Sequence, residues 1–383
     1  MTTLSKKTIR VSEKMVHRVQ ASIDLKALQH NFQVARKHAN AKNVAAVIKA
    51  NAYGHGLEQA ASALTDADLF GVTDVHEAVT LKQFGTGKPI LVLQGLIKAD
   101  DLHLVAEHGF QLVVHSSEQL ADLDDILSAE KVKTPLTLWL KMDSGMGRLG
   151  IAPSAYANTY RALLGRPYVG SIIMMTHLAN ASLLDSPLNL RQLEAFREAE
   201  TLLDNENPAT SIPNSAGVLS DLPVTCDWVR PGIMLYGSSP FGYEEEALRR
   251  DNFHLKAVMT LKARIIAVKD LKKGDNIGYC SQFVCPNDMP VGIVSIGYAD
   301  GYPSNAPNGT PIVVNGIKTA TVGRVSMDML AVDLSNIPDA KVGDLATLWG
   351  QELSLDEVAA KTGILSYNLT CSISRRVKFT YTD

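Results

Sequence analysis

Charged and polar side chains follow several short apolar runs of this 383-residue chain. The apolar run at residues 44–48 leads directly to Lys49, and a segment rich in small residues comes next. A continuous apolar run bounded by turn signals is typical of a buried strand in a parallel sheet. A lysine at the end of such a strand is partly removed from water, which disfavours its charged form and lets its amine attack a carbonyl. Lys49 is therefore a candidate nucleophile, and the alternative is a surface lysine that only ends a strand.

Later apolar runs also end on residues that could do chemistry, namely His115, Lys141, His177, Ser215 and Arg230. Small residues around Ser215 and after Arg230 would let backbone N–H groups approach an anion, and the Ser215 hydroxyl adds a donor. For His115 a structural role is the alternative. A lysine nucleophile combined with a phosphate cradle favours pyridoxal 5′-phosphate as the cofactor.

These residues need a scaffold that brings strand ends together. Alternating strand and helix signals predict parallel βα units with right-handed crossovers, and we expect Asp24 or Ser22 to cap the first helix. Eight such units fit a closed (β/α)8 TIM-type barrel, which carries its catalytic groups at the carboxyl ends of the strands. The predicted strands lie at residues 44–49, 69–73, 90–94, 111–115, 136–141, 171–176, 210–214 and 228–230.

The sequence pattern changes near residue 251. Alternating β-prone runs follow, separated by turn signals at Asn308-Gly309 and Asn315-Gly316. We therefore predict an α/β barrel domain at residues 1–250 and a mostly antiparallel β domain at residues 251–383. The first 20 or so residues are expected to be a lead-in that could pack on the β domain.

Net charge, cysteine spacing and the lengths of the apolar runs exclude several classes of protein. A net charge of −3 gives no reason to expect nucleic acid or an anionic membrane as a partner. The four cysteines lack CxxC spacing, so neither a disulfide framework nor a zinc site is indicated, and we predict no metal. The first residues lack the apolar core of a signal peptide, and the later apolar runs are too short to span a bilayer. A cytoplasmic enzyme or binding protein is expected.

A series of motifs resembles the alanine racemases, a family of fold-type III pyridoxal-phosphate enzymes. The motifs occur in the order of the family and cover nearly all of the chain except its first 20 or so residues. The matching segments are residues 47–56 (VIKANAYGHG), 141–150 (KMDSGMGRLG), 176–179 (THLA), 214–216 (NSA), 229–237 (VRPGIMLYG), 277–279 (IGY), 296–301 (IGYADG), 322–328 (VGRVSMD) and 367–371 (YNLTC).

The resemblance implies a homodimer with shared active sites and assigns its acid–base groups. Lys49 matches the lysine that binds the cofactor covalently and acts as one of two catalysts. Tyr279 resembles the second catalyst, which the β domain of the partner subunit supplies. A tyrosine hydroxyl is a poor base near neutral pH, so nearby positive charge would be needed to activate it. His177 matches the histidine beside the pyridine ring, and Arg230 matches the arginine at the pyridine nitrogen.

The remaining roles also come from the resemblance. The family's phosphate contacts match Tyr53, Ser215, Tyr367 and the backbone of Gly232 and Ile233.

Arg148, Tyr298 and Met327 resemble residues of the substrate-carboxylate site and its entry channel, and Arg148 also approaches the cofactor. Lys141 matches a lysine that is carbamylated in many members, where the carbamate would brace the arginine. Three positions depart from the family pattern: Ser182, Cys280 and Ser326. We expect Cys371 and Trp349 to be core residues.

The predicted function is a racemase that interconverts L- and D-alanine and supplies D-alanine for peptidoglycan. Three alternatives stay open: a broader-spectrum racemase acting on serine or basic amino acids, a fold-type III decarboxylase, and a non-enzymatic cofactor-binding protein. The decarboxylases pair the pyridine nitrogen with a carboxylate, so Arg230 speaks against them. The β domain that carries Tyr279 and Met327 speaks against the binding protein.

Overall fold

The computed structural model describes residues 17–127, 135–243 and 253–383. Strand β1 (Val19–Asp24) leads into helix α1 (Leu25–His38). Asp24 caps this helix, because its side chain accepts a hydrogen bond from the Ala27 N–H at 2.8 Å, as predicted. Most of the predicted lead-in, residues 1–16, lies outside the described residues.

Eight parallel strands form a closed barrel, in agreement with the predicted fold class. Each strand pairs with the next along the chain, and the first and last close the barrel where Asn43 pairs with Trp228. The strands are β2 (Asn43–Val47), β3 (Leu69–Val72), β4 (Ile90–Val92), β5 (Gln111–Val114), β6 (Leu136–Lys141), β7 (Val169–Met175), β8 (Ala209–Ser211) and β9 (Trp228–Val229).

Helices follow the barrel strands and cover them on the outside. Their apolar faces form one continuous core with the strands, while a second cluster around Trp139 fills the barrel interior. The Trp139 indole N–H donates to the Gln111 side-chain oxygen at 2.7 Å, so its one polar group is satisfied. The helices are α2 (Lys49–Tyr53), α3 (Leu57–Ala63), α4 (Val75–Phe84), α5 (Asp101–His108), α6 (Ser117–Leu127), α7 (Pro153–Leu164), α8 (Pro187–Thr201) and α9 (Ser215–Leu219).

The second half of the fold is a mostly antiparallel β structure, as predicted. Its main sheet has the order β13-β16-β15-β14-β17-β10-β1-β18, and β13 also pairs with β10, so six of these strands close on themselves. The elements are β10 (Met259–Leu271), β11 (Asn276–Ile277), β12 (Phe283–Val284), β13 (Met289–Val294), β14 (Pro311–Val314), β15 (Ile317–Val322), β16 (Leu330–Asp333), β17 (Leu345–Trp349), α10 (Leu355–Thr362), α11 (Ser366–Cys371) and β18 (Lys378–Thr382).

Strand β1 belongs to this second sheet although it precedes the barrel. It runs antiparallel to β10 and parallel to β18, with Gln20 opposite Lys262 on one side and Lys378 on the other. The two halves of the fold are therefore joined at the start of the barrel as well as at its end. Within the described residues, no helix is both long enough and apolar enough to cross a membrane.

Candidate active site

A cavity of about 720 Å³ lies at the carboxyl ends of the barrel strands. Ten residues singled out in the sequence line it, while His115 stays outside the lining and donates from Nε2 to the Gln94 carbonyl at 3.0 Å. The ten are Lys49, Tyr53, Lys141, Arg148, His177, Ser215, Arg230, Gly232, Ile233 and Tyr367.

Lys49 begins a left-handed turn immediately after the buried strand β2. The three residues after it, Ala50, Asn51 and Ala52, all have φ of 54°. Left-handed backbone costs a non-glycine residue about 1–2 kcal/mol, so this turn needs support from its surroundings. Glu77 supplies part of it, accepting from the Asn51 N–H at 3.2 Å and from the Thr73 N–H at 2.8 Å.

The surroundings of Lys49 lower the pKa of its amine. Burial lowers the pKa of its amine, and the Arg148 guanidinium lowers it further, while Glu77 and Cys371 oppose that shift. A lysine with a lowered pKa has more free amine near neutral pH and is a better nucleophile.

Lys141 ends strand β6 and is also buried. Burial lowers its pKa to about 8, with Arg148, Arg230 and Lys49 adding to the shift. Arg148 lies on the loop that follows. Its loop is shaped by Asp143, whose Oδ1 accepts from the N–H groups at positions 145, 146 and 147 at 3.1, 2.9 and 3.0 Å.

Arg230 lies buried between strand ends and is held by hydrogen bonds to oxygen atoms. Its Nη2 donates to the carbonyls of Thr176 at 2.6 Å and Ile212 at 3.2 Å, and its Nη1 donates to the Ser211 hydroxyl. Burial lowers the pKa of its guanidinium to about 10. These contacts fix the guanidinium at the cavity wall.

His177 shares this wall and is held in its neutral form. Burial lowers the pKa of its imidazole well below the ordinary value, and Arg230 and Lys141 lower it further. The Asn214 amide nitrogen lies 3.4 Å from Nε2. Gln192 fixes the segment behind the ring, because its side chain donates to the His177 carbonyl at 3.1 Å and accepts from the Ala179 N–H at 2.8 Å.

The residues predicted to form a phosphate cradle lie together at one side of the cavity. Ser215, at the start of α9, accepts hydrogen bonds through its Oγ from the N–H groups of Gly232 at 2.8 Å and Met234 at 3.4 Å. A Cβ at position 232 would lie 2.5 Å from the hydroxyl oxygen of Tyr53. Glycine is therefore required there for the backbone and this hydroxyl to come so close.

Stacked aromatic rings hold Tyr53 in place. Its ring centroid lies 4.7 Å from that of Tyr236 and 5.9 Å from that of Tyr367. Burial raises the pKa of the Tyr53 hydroxyl, and Tyr367 raises it further, so the hydroxyl keeps its proton and can act as a hydrogen-bond donor.

The cavity is strongly cationic. Lys49, Lys141, Arg148 and Arg230 line it, and none of the described residues that line it is Asp or Glu. Buried cations without a matching carboxylate favour an anionic ligand. Among the described residues no group of three His, Cys, Asp or Glu side chains could hold a metal ion.

Three candidate residues do not line this cavity. Tyr279, Tyr298 and Met327 lie in the β structure, with 69%, 45% and 52% of their surface exposed. Met329, in the same turn as Met327, is also exposed, at 43%. Within one chain the candidate site is thus divided into a cavity and a separate exposed group of side chains.

Cys371 was wrongly expected in the core, whereas Trp349 is fully buried as predicted. Cys371 ends α11 and lines the cavity, because this helix packs against the left-handed turn after Lys49. In the sequence, Cys371 is a small, weakly polar residue in a short helical segment, and nothing there indicates that it faces a cavity. Glu77 and Gln192, which support the site, escaped notice because single polar residues on amphipathic helices resemble solvent-facing ones.

Comparison with known proteins identifies the family. Two family models match, "Alanine racemase, N-terminal domain" over residues 23–240 and "Alanine racemase, C-terminal domain" over residues 258–381. A relative from Pseudomonas putida named "Alanine racemase, catabolic" is 44% identical over 357 residues, covering 93% of this chain and 97% of the relative.

Solved structures agree with the sequence comparison. The biosynthetic alanine racemase from Pseudomonas aeruginosa is similar with a TM-score of 0.89 and 40% identity, covering 96% of this chain and 100% of that one. The alanine racemase from Bartonella henselae with covalently bound pyridoxal phosphate has a TM-score of 0.86 and 27% identity, with 96% and 100% coverage. From its two matched domains and these relatives, we conclude that the chain belongs to the alanine racemase family of isomerases.

Proposed function

We propose that this protein is a pyridoxal-phosphate-dependent racemase that interconverts L- and D-alanine. The observation that carries the proposal is the convergence of Lys49, Arg230 and the Ser215–Gly232 cradle on one cationic cavity. The cavity supplies an amine of lowered pKa for a carbonyl and a donor-rich wall for a phosphate. Its family relatives support the same activity.

The residues of the cavity fit the cofactor. The absence of a side chain at Gly232 lets the backbone and the Tyr53 hydroxyl come together at this wall, which suits a phosphate group. Ser215, Ile233 and Tyr367 complete this side of the cavity. When bound, pyridoxal phosphate withdraws electrons from the amino-acid Cα and makes its proton easier to remove.

Two acid–base groups then invert the stereocentre. The Lys49 amine removes or returns the Cα proton on one face. Tyr279 of the partner subunit does so with its hydroxyl on the opposite face. One group gives a proton as the other takes one, so neither the enzyme nor the amino acid changes its proton count over a complete turnover. Arg230 keeps a positive charge at the far wall of the cavity, and His177 beside it stays neutral.

Exchange of hydrogen at Cα tests the two-base assignment. In a Tyr279→Phe variant, we expect deuterium at Cα to be washed out into water from one enantiomer of alanine and retained in the other. The reason is that Lys49 still serves its own face. Equal wash-out of deuterium from both enantiomers would show that Tyr279 is not a catalyst. Retention of deuterium in both enantiomers would show that Lys49 is not one.

We propose a homodimer in which each active site is completed by the other chain. The exposure of Tyr279, Tyr298, Met327 and Met329 supports this, because a group of large apolar side chains on a surface favours burial against a partner. Arg148 would bind the substrate carboxylate from the barrel side, and Tyr298 and the Met327 N–H would do so from the partner.

Lys141 is a candidate for carbamylation. Because its pKa is lowered to about 8, a fraction of its amine is neutral near neutral pH. The neutral amine nitrogen would bond to the carbon of CO2 and release one proton to solvent, which leaves a carbamate anion beside Arg148; the protonated form must first lose a further proton. Incubation with isotope-labelled bicarbonate should give a carbamate signal that Lys141→Met lacks.

A substrate panel tests the activity itself. Purified protein loaded with cofactor is given L-alanine, L-serine and L-lysine, and both D-enantiomers and CO2 are measured. We expect D-alanine and little product from L-lysine, because the cationic cavity repels a second positive charge. Release of CO2 without a D-enantiomer would establish a decarboxylase instead, and efficient D-serine or D-lysine formation would establish the broader-spectrum racemase.

The biological role follows from the product. D-Alanine is a component of peptidoglycan, and we propose that a cytoplasmic pool is its source. Relatives are named both biosynthetic and catabolic. Expression in a bacterium that requires D-alanine tests whether the protein can supply it. Growth without added D-alanine is the expected result.

A further inference from the structure

A buried carboxylate lies behind the exposed group of side chains in the β structure. Asp300 has no exposed surface, and its carboxylate accepts hydrogen bonds from both terminal nitrogens of Arg18 and from the Gly297 N–H at 3.1 Å. A buried charge persists only when it is paired and hydrogen-bonded. Asp300 is therefore a fixed anchor for the turn at Gly297–Gly301, which carries Tyr298.

Arg376 connects this anchor to a second turn. Its Nε lies 3.6 Å from Asp300 Oδ1, and its Nη2 donates to Asp328 Oδ1 at 2.5 Å. A guanidinium presents several donors in a rigid plane, so one side chain can hold two carboxylates at fixed positions. Asp328 immediately follows Met327 in the turn at Ser326–Met329.

Backbone hydrogen bonds join the two turns directly. The Tyr298 N–H donates to the Ser326 carbonyl at 3.1 Å, and the Ala299 N–H donates to the Met327 carbonyl at 3.0 Å. A Cβ at Gly297 would lie 2.2 Å from the Ser326 carbonyl oxygen, so the turns are in close contact. Asp328 and Arg376 hold the same turn from its other end.

The Met327 N–H has no acceptor among the described residues. It is therefore free to donate to an external oxygen. Its direction is set by the backbone hydrogen bonds to the turn at Gly297–Gly301 and by the bond between Asp328 and Arg376. The bond to Arg376 is a charged one, and hydrogen bonds to charged groups are the stronger class.

We infer that Arg376 is a positioning residue: by bridging Asp300 and Asp328 it orients the Met327 N–H toward the substrate carboxylate in the partner's cavity. This inference rests on the proposed function. Arg376 itself does not touch the substrate in this account, and its effect is on substrate binding more than on proton transfer.

The test compares Arg376→Gln with Arg375→Gln, both made in the full-length, cofactor-loaded protein. Arg375 is the exposed neighbour, and it has no hydrogen bond or ion pair among the described residues, so it controls for the loss of one surface charge. We expect Arg376→Gln to raise the KM for L-alanine about threefold with little change in kcat, since the lost ion pair is exposed and such pairs contribute only modestly. Arg375→Gln should leave both unchanged.

Two further measurements do not depend on turnover. Propionate, which is alanine without its amino group, should bind Arg376→Gln about threefold more weakly, as followed by the absorbance of the bound cofactor. Hydrogen exchange of the Met327 amide should become faster. Arg376→Lys should recover part of the propionate affinity, because an ammonium can hold Asp328 but cannot bridge both carboxylates.

Unchanged propionate affinity and Met327 exchange in Arg376→Gln would overturn the inference, as would equal effects in Arg375→Gln. If Arg376→Gln fails to fold, Asp328→Ala removes the same bond at an exposed position and should give the same rise in KM. A wild-type protein that does not racemise alanine would refute the proposed function instead, and the exchange of the Met327 amide would still report on Arg376.

Discussion

Four cationic side chains line one cavity at the barrel mouth, and burial makes three of them less able to hold a charge. The pKa values of Lys49, Lys141 and Arg230 are all lowered by removal from water, and the neighbouring cations of the cavity add to the shifts of both lysines. Each of these groups is therefore a source of instability in the cofactor-free protein, and a bound anion would relieve it. The buried cations lower the folding stability of the cofactor-free protein, and the same cations allow the cavity to bind an anion.

Lys141 makes this cost measurable as a dependence on pH. Its pKa is about 8 in the folded protein and 10.5 as a free side chain, so between these values the unfolded chain binds more protons. Stability must then rise with pH across this window, and below pH 8 the cost is constant. Relative to Lys141→Met, the wild-type protein should gain on the order of 3 kcal/mol of unfolding free energy from pH 8 to 10.5.

Urea unfolding of cofactor-free protein in CO2-depleted buffer at several pH values checks this prediction. Lys269→Met, at an exposed position of β10, is the control and should run parallel to the wild type. A constant difference between wild type and Lys141→Met at all pH values would mean that Lys141 has an ordinary pKa in the folded protein.

At the scale of elements, the left-handed turn at Lys49–Tyr53 is the unusual feature of the site. It carries the nucleophile, and α11, with Cys371, packs against it. The strand before it was predicted from its apolar run, but the hand of the turn was not. Positive φ is expected in a sequence mainly at glycine and asparagine. Of the residues with positive φ in this turn, only Asn51 is of such a type, and the alanines and Tyr53 give no such signal.

Substitution by glycine should change the free energy of unfolding in opposite directions in this turn and in an ordinary helix. Ala50 is exposed with φ of 54°, so Ala50→Gly should stabilise the protein by about 1 kcal/mol because the steric cost of the left-handed backbone is removed. Ala121 is exposed in the right-handed helix α6, and Ala121→Gly should destabilise by about 0.5–1 kcal/mol. Urea midpoints measure both, and equal signs would contradict the assignment of the turn.

Much of the fold followed from local sequence patterns, and the remainder depends on distant contacts. All eight barrel strands were predicted within a few residues, because apolar runs and turn residues are local signals. The position of β1 between β10 and β18 was not predicted, since no local signal identifies a partner 358 residues away. The same limit hid Arg18, Asp300 and Arg376, whose roles arise only from their mutual contacts.

At the scale of the whole molecule, the candidate catalytic groups are divided between two surfaces. Lys49 lines the barrel cavity, and Tyr279 is exposed on the β structure. If each site is completed by a second copy, one intact barrel and one intact β domain from different chains suffice for activity.

Mixing two inactive variants tests this division. Lys49→Ala and Tyr279→Phe should each lose alanine racemisation. After the two are mixed, unfolded together and refolded, we expect about a quarter of the wild-type activity from random pairing, because half of the dimers are mixed and each has one complete site. Each variant refolded alone is the control. A mixture as inactive as its components would indicate that each chain completes its own site.

The placement of β1 also sets the order in which the protein can be built on the ribosome. Gln20 pairs with Lys378, so one edge of β1 waits for a strand made 358 residues later, roughly 20 to 70 s at ordinary rates of synthesis. The barrel, made of neighbours in sequence, can form during that interval. Arg376, just before β18, contacts both Asp300 and Asp328, so the turns that carry Tyr298 and Met327 gain their full set of contacts only once the chain is almost complete. A nascent chain would thus hold a formed barrel, still without Tyr367 and Cys371 at its cavity, well before it could complete the site of another copy.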